Sequence, residues 1–170
     1  MLSSRAFSAL LKRARYSATD YLATLAIDSV HPKYDVYRVQ INDVNIRLKM
    51  LLNNEMDAVL LSEPQATRAR LEGHVKLMDS RDKNVRLGVF AFRTEALKEP
   101  RRKQQLDLFI KAYNMAVDSI NKNGVKHYKD LIIKNCGVDA RTVDALPKLR
   151  YQHAGSPRKH DQNIANSIKN

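Results

Sequence analysis

Five histidines, His31, His74, His127, His153 and His160, are the residues best suited to holding a metal or moving a proton. Their spacing suits neither task. A tetrahedral metal site needs ligands that converge from short-range pairs such as His-x-x-x-His, and no two of these histidines stand so. The single cysteine, Cys136, excludes an internal disulfide and a cysteine zinc quartet. Close to Leu131, Ile132 and Ile133, it reads as a small buried hydrophobe. Its distance of nine residues from His127 carries no nucleophilic signature. Gly73, Gly88, Gly124, Gly137 and Gly155 are isolated, so no glycine-rich loop cradles a phosphate. No serine sits in a Gly-x-Ser-x-Gly elbow. Glu55 and Asp57 on one helix point to different faces and do not pair. The expectation is a protein that is not an enzyme and binds no cofactor or metal.

What remains is charge and aromatic surface. Lys98-Glu99-Pro100-Arg101-Arg102-Lys103 offers cations to phosphates or to an acidic protein surface. Cations at a helix start are electrostatically unfavourable, which makes a partner for Arg101, Arg102 and Lys103 more attractive. Tyr34, Tyr37 and Tyr151 do not interleave with arginines as RNA-binding signatures require.

The elements that position these groups follow from apolar periodicity. A helix is expected from Thr19 to His31-Pro32. In KYDVYRVQI, Tyr34, Val36, Tyr37 and Val39 form a partly alternating run with no second strand-like run to pair with it. It reads as an extended arm over about 33–41, lying on helices or docking on a neighbour. Asn42-Asp43 offers an N-cap for an apolar helix over 44–61. Pro64 suits the first turn of a helix running to about Asp79. Asp79–Asp82 is a turn, and Val85 to Leu97 reads as a helix ending before Pro100. Leu106, Phe109, Tyr113, Ala116 and Ile120 recur every three or four residues, marking a helix over 101–122 with Gly124 as its C-cap. A shorter helix, Lys126 to Asn135, closes at Gly137. Asp139 or Thr142 starts a last turn before Pro147. The fold class is all-α, an irregular bundle of about six helices with a flexible basic C-terminal tail.

The net charge is +12 over 170 residues, and its distribution is uneven. Arg5, Lys12, Arg13 and Arg15 place +4 in residues 1–16, where there is no acid. Residues 148–170, with Lys148, Arg150, Arg158 and Lys159, carry another +4. The expected organisation is a targeting helix over 1–16, a helical domain over 17–147 and the tail over 148–170. Phe7, Leu10, Leu11 and Ala14 fall on one helical stripe with the cations largely off it, the pattern of a mitochondrial presequence. Cleavage after Tyr16 and retention of the leader both remain open. Charge-free stretches are far shorter than the ~20 residues a membrane span needs.

Residues 113–139, YNMAVDSINKNGVKHYKDLIIKNCGVD, resemble one pentatricopeptide-type helical hairpin. Tyr113-Asn114, Val117, Ile120, Lys122 and Gly124 match its first helix and turn. Leu131, Gly137, Val138 and Asp139 match its second helix and exit, although that helix is several residues short. Family members stack many repeats and read RNA one base per repeat, which a lone hairpin cannot do. The resemblance also fits small helical subunits that use such hairpins for protein contacts, among them an extra subunit on the catalytic head of some protist ATP synthases.

The resulting expectation is a non-catalytic accessory subunit of a large inner-membrane energy-converting complex, ATP synthase first and a respiratory-chain complex next. It would lie in the mitochondrial matrix or on the matrix face of the inner membrane. Expected partner contacts are Tyr34, Val36, Tyr37, Val39, Arg101, Arg102, Lys103, Arg150, Arg158 and Lys159, with other protein subunits as partners. The alternative is a mitochondrial ribosomal or small RNA-binding protein, whose basic ends would meet phosphates.

Overall fold

A computed structural model describes residues 10–11, 18–84, 86 and 88–167. These residues are mostly helical, with eight α-helices and one 3-10 turn among them. The chain forms two compact units: Met1–Leu87 with Arg158–Asn170, and Gly88–Pro157. Most of the expected leader helix, residues 1–9 and 12–16, lies outside the described residues. Leu10–Leu11 is not helical but forms a two-residue strand, β1.

In the first unit, α1 (Ala18–Val30) buries Leu22 and Ala23. It ends where His31 takes a left-handed φ of 45° before Pro32, a conformation rare outside glycine and asparagine. The arm that follows is extended, as its alternation implies. It does have a strand partner: Arg38–Val39 (β2) pairs in parallel with β1, Leu10 opposite Arg38. That pairing was hidden because Leu10–Leu11 sits in a run whose periodicity is helical. Next, α2 (Val44–Leu52) starts at Asp43, whose carboxylate accepts from the Asn45 and Ile46 N–H groups at 2.7 and 3.2 Å.

Two helices stop earlier than their apolar patterns suggest, and for the same reason. α2 ends at Leu52, not near residue 61. Asn54 adopts φ 57°, so its N–H returns to the Leu51 carbonyl and that of Glu55 to Met50. α3 (Gln65–Leu71) stops before Asp79, because Gly73 at φ 93° sends its N–H to Arg70 and that of His74 to Ala69. Both are Schellman closures, which need a left-handed residue just past the helix. Glu55 and Asp57 therefore lie outside any helix. Leu48, Leu51 and Ala69 form this unit's core, with Leu52, Val59 and Leu61 packed against it. The C-terminal helix α8 (Lys159–Ser167) also belongs here.

In the second unit, the expected helix over 85–97 is reduced to α4 (Thr94–Lys98). Residues 88–93 run without helix, turn or bend, while Val85 and Leu87 lie outside the described residues. β-branched and aromatic side chains there favour extended backbone over helix. α5 (Pro100–Asn123) matches expectation, with proline in its first turn and Gly124 at its end. A 3-10 turn, Val125–Tyr128, leads into α6 (Lys129–Cys136), which Gly137 closes at φ 63°. α6 packs mainly on that turn and on α7 (Ala140–Asp144). The pentatricopeptide-like segment is therefore not a pair of equal helices. Cys136 is half-buried. Val117, Val138 and Val143 are the buried apolar side chains of this unit.

Two neighbouring residues make the second unit's stability testable. The Asp139 carboxylate caps α7 by accepting from the Thr142 N–H at 2.8 Å. The Thr142 hydroxyl is fully buried and has no partner, so it contributes only a desolvation cost. Asp139→Ala should destabilise the unit by about 1 kcal/mol. Thr142→Val should leave stability equal or higher. Urea denaturation of the two variants checks both, and a loss with Thr142→Val would refute the assignment of that hydroxyl.

Candidate functional site

No group of three or more histidines, cysteines or carboxylates among the described residues is placed to hold a metal ion. No helix among them is long and apolar enough to cross a membrane. The features that stand out are a hollow beside the arm, a polar ladder on α5 and a set of exposed apolar side chains.

The first is a shallow, open hollow of about 480 Å³ between the end of α1 and the arm. Asp28, His31, Tyr34, Asp35, Val36 and Arg38 contribute to its lining. The structure thus brings Tyr34 and Val36 together. Tyr37, 65% exposed, and Val39 are not part of that lining. Arg38 donates to the Thr24 hydroxyl at 3.1 Å, tying the arm to α1.

The second is a polar ladder on α5 that sequence reasoning missed. Asn114, Asp118 and Asn121 stand at i, i+4 and i+7, on one face of the helix. Asn121 binds Tyr151 reciprocally, its amide donating to the Tyr151 carbonyl and its oxygen accepting the Tyr151 N–H, both at 2.9 Å. Asp118 meets the His153 ring at 2.7 Å, and Asn114 accepts the Ala154 N–H at 2.9 Å. Residues 151–154, expected to lie free or on another protein, are strapped along their own helix. The signal in the sequence was two asparagines seven residues apart on an otherwise periodic helix. Beyond them, Ser119 and Asn123 hydrogen-bond the Tyr128 hydroxyl. Those bonds, Ser119 first, hold its pKa below the usual phenol value.

The basic residues are distributed over both units. Arg101, Arg102 and Lys103 are exposed at the start of α5, where Arg102 already pairs with Glu99 at 3.0 Å. Arg150 is exposed ahead of the ladder segment. Arg158 and Lys159 belong to the other unit. Lys159 is exposed, but Arg158 is committed within the chain. Its guanidinium donates to Asp161 at 2.6 and 2.7 Å, to the Asn84 side chain at 3.0 Å and to the Asn84 carbonyl at 2.9 Å. Asp161 also accepts the Arg86 N–H at 3.3 Å. A guanidinium forked between a carboxylate and a backbone carbonyl is a structural clamp, and it anchors α8.

The third surface is apolar and exposed. Val75 and Leu77 alternate after α3, with Val75 82% exposed. Val89, 77% exposed, together with Phe90 and Phe92, stands on the straight segment before α4. Leu108 and Met115 are exposed along α5.

No family model, curated protein or solved structure matches this chain. Its geometry is therefore the ground on which a function must rest.

The strap and the clamp each yield a measurable outcome. Asn121→Ala removes both bonds to Tyr151, so amide exchange at Tyr151 should accelerate about tenfold while that of α5 is unchanged. Equal exchange in variant and parent would show that the ladder does not hold the strap. At the clamp, the Arg158 hydrogen bond is the main cause that holds Asp161 down to about 2, against an ordinary aspartate near ~4. A carboxylate with a depressed folded-state pKa contributes stability that is complete above the unfolded value and lost as pH falls through the folded one. α8 should therefore loosen between about pH 4 and pH 2, followed by exchange at residues 159–167. Asp161→Asn should show the loosened state at neutral pH.

Proposed function

We propose that this chain is a non-catalytic accessory subunit of a large mitochondrial inner-membrane energy-converting assembly, ATP synthase first and a respiratory-chain complex next. It works through protein–protein contacts on the matrix side. The observation that carries this reading is the apolar side chains left on extended segments, Val75, Leu77, Val89 and Phe92, where the chain's own cores do not reach them. Scattered surface hydrophobes are ordinary, but runs of them on straight backbone mark contact sites. The acid-free, arginine- and serine-bearing stretch 1–16 supports mitochondrial import.

The RNA-linked alternative draws on Arg101, Lys103 and Arg150, which are exposed. The commitment of Arg158 to Asp161 and Asn84 removes one of its expected phosphate contacts.

Isolation of the tagged chain from mitochondria, with gradient sedimentation before and after nuclease, tests the proposal. Co-sedimentation with ATP synthase or a respiratory complex, unchanged by nuclease, is the expected result. A free monomer would overturn the proposal, and nuclease-dependent release would transfer the chain to the RNA-linked class.

A further inference from the structure

The segment Gly88 to Arg93 has the properties of a β-strand without a sheet. It runs without helix, turn or bend and ends at Arg93 with φ −67° and ψ 134°, an extended conformation. Val89, Phe90 and Phe92 are strong strand formers. The Phe90 ring meets Phe109 edge-on at 5.2 Å and Tyr113 at 4.9 Å. These contacts pin the segment to α5 by one side chain. Among the described residues, no backbone N–H or C=O of residues 88–92 has a hydrogen-bond partner in the protein. The backbone of the segment is therefore unpaired, while the Phe90 ring is already ordered on α5. An exposed, apolar, unpaired strand is a template for pairing with another chain, and main-chain pairing of this kind is a recurrent mode of recognition.

Charge identifies which edge it fits. The acids nearest the segment in sequence are already used: Glu95 pairs with Lys98 and Glu99 with Arg102, each at 3.0 Å. Arg93, Arg101 and Lys103 have no acidic partner among the described residues. A second copy of this chain would carry the same net charge of +12, and that mutual repulsion opposes its docking. The complementary occupant is an acidic strand from a different protein.

Resting on the accessory-subunit reading above, we infer that Gly88–Arg93 adds as a strand to the open, acidic edge of a β-sheet in a partner subunit. Hydrogen–deuterium exchange with mass spectrometry tests this on the full chain, free and within the assembly isolated from mitochondria. Peptides covering 88–93 should exchange rapidly in the free chain and at least about tenfold more slowly in the assembly. Ala91→Pro removes one strand N–H at an exposed position, and should abolish co-isolation of the assembly while Ala91→Thr retains it. Exchange across the other elements of Ala91→Pro verifies that it remains folded. An intact assembly in which residues 88–93 exchange as in the free chain would overturn the strand inference and leave the accessory reading standing. A chain that enters no assembly would overturn both. Concentration-dependent protection of 88–93 in the purified chain would identify a second copy as the occupant, and would overturn the hetero-partner.

Discussion

Where a helix stops decides which side chains of this chain reach a core, and the stops depend on residues that accept left-handed backbone. Asn54, Gly73 and Gly137 each do so, at φ 57°, 93° and 63°. Each lets backbone N–H groups return to carbonyls that would otherwise be orphaned at the helix end. Past such a residue, side chains no longer rotate by about 100° per residue but alternate. Val75 and Leu77 would have joined a helical stripe had α3 continued. Once it ends at Leu71, they stand on the surface. The exposure of Val75 and Leu77 is thus a consequence of helix termination, whereas that of Val89 and Phe92 follows from a segment that never starts a helix.

Early termination also keeps the cores small, and polar ties take over part of the holding. The first unit centres on Leu48, Leu51 and Ala69, and the second buries Val117, Val138 and Val143. Isolated surface ion pairs such as Lys98–Glu95 contribute little, because solvent screens them and ordering two long side chains costs entropy. The α5 ladder and the Arg158 clamp work differently. Each binds the backbone of a distant segment through several groups at once, and so specifies its register as well as its proximity. The Asp79 carboxylate, held well below its usual range chiefly by the Arg81 hydrogen bond, acts locally and organises its own 79–82 turn.

Much of the helical content was legible because its causes are local. Asp43 as a cap and Gly124 and Gly137 as closures all act within one helical turn. The errors arose where one periodicity hid another. Apolar density over 44–61 and 85–97 masked the stop signals Asn53-Asn54 and the strand-favouring Gly88-Val89-Phe90. Likewise Leu10–Leu11 fits a helical stripe, yet pairs with the arm. The polar ladder was illegible for a different reason. Asn114, Asp118 and Asn121 are ordinary solvent-face residues until a segment thirty or more residues later lies across them.

By itself, the sequence determined the helical class, most helix starts and the uneven charge, since capping, periodicity and net charge depend only on residue type and short-range order. It also carried no recognisable pattern for metal, nucleotide or nucleophilic chemistry. Only the tertiary structure decided that residues 151–154 bind back on α5, that Arg158 is committed to Asp161 and Asn84, and that Phe90 is pinned while its backbone stays open. These depend on which distant surfaces meet. Contact between remote segments is set by the balance of burial, hydrogen bonding and chain entropy over a whole unit, which no local window of residues contains.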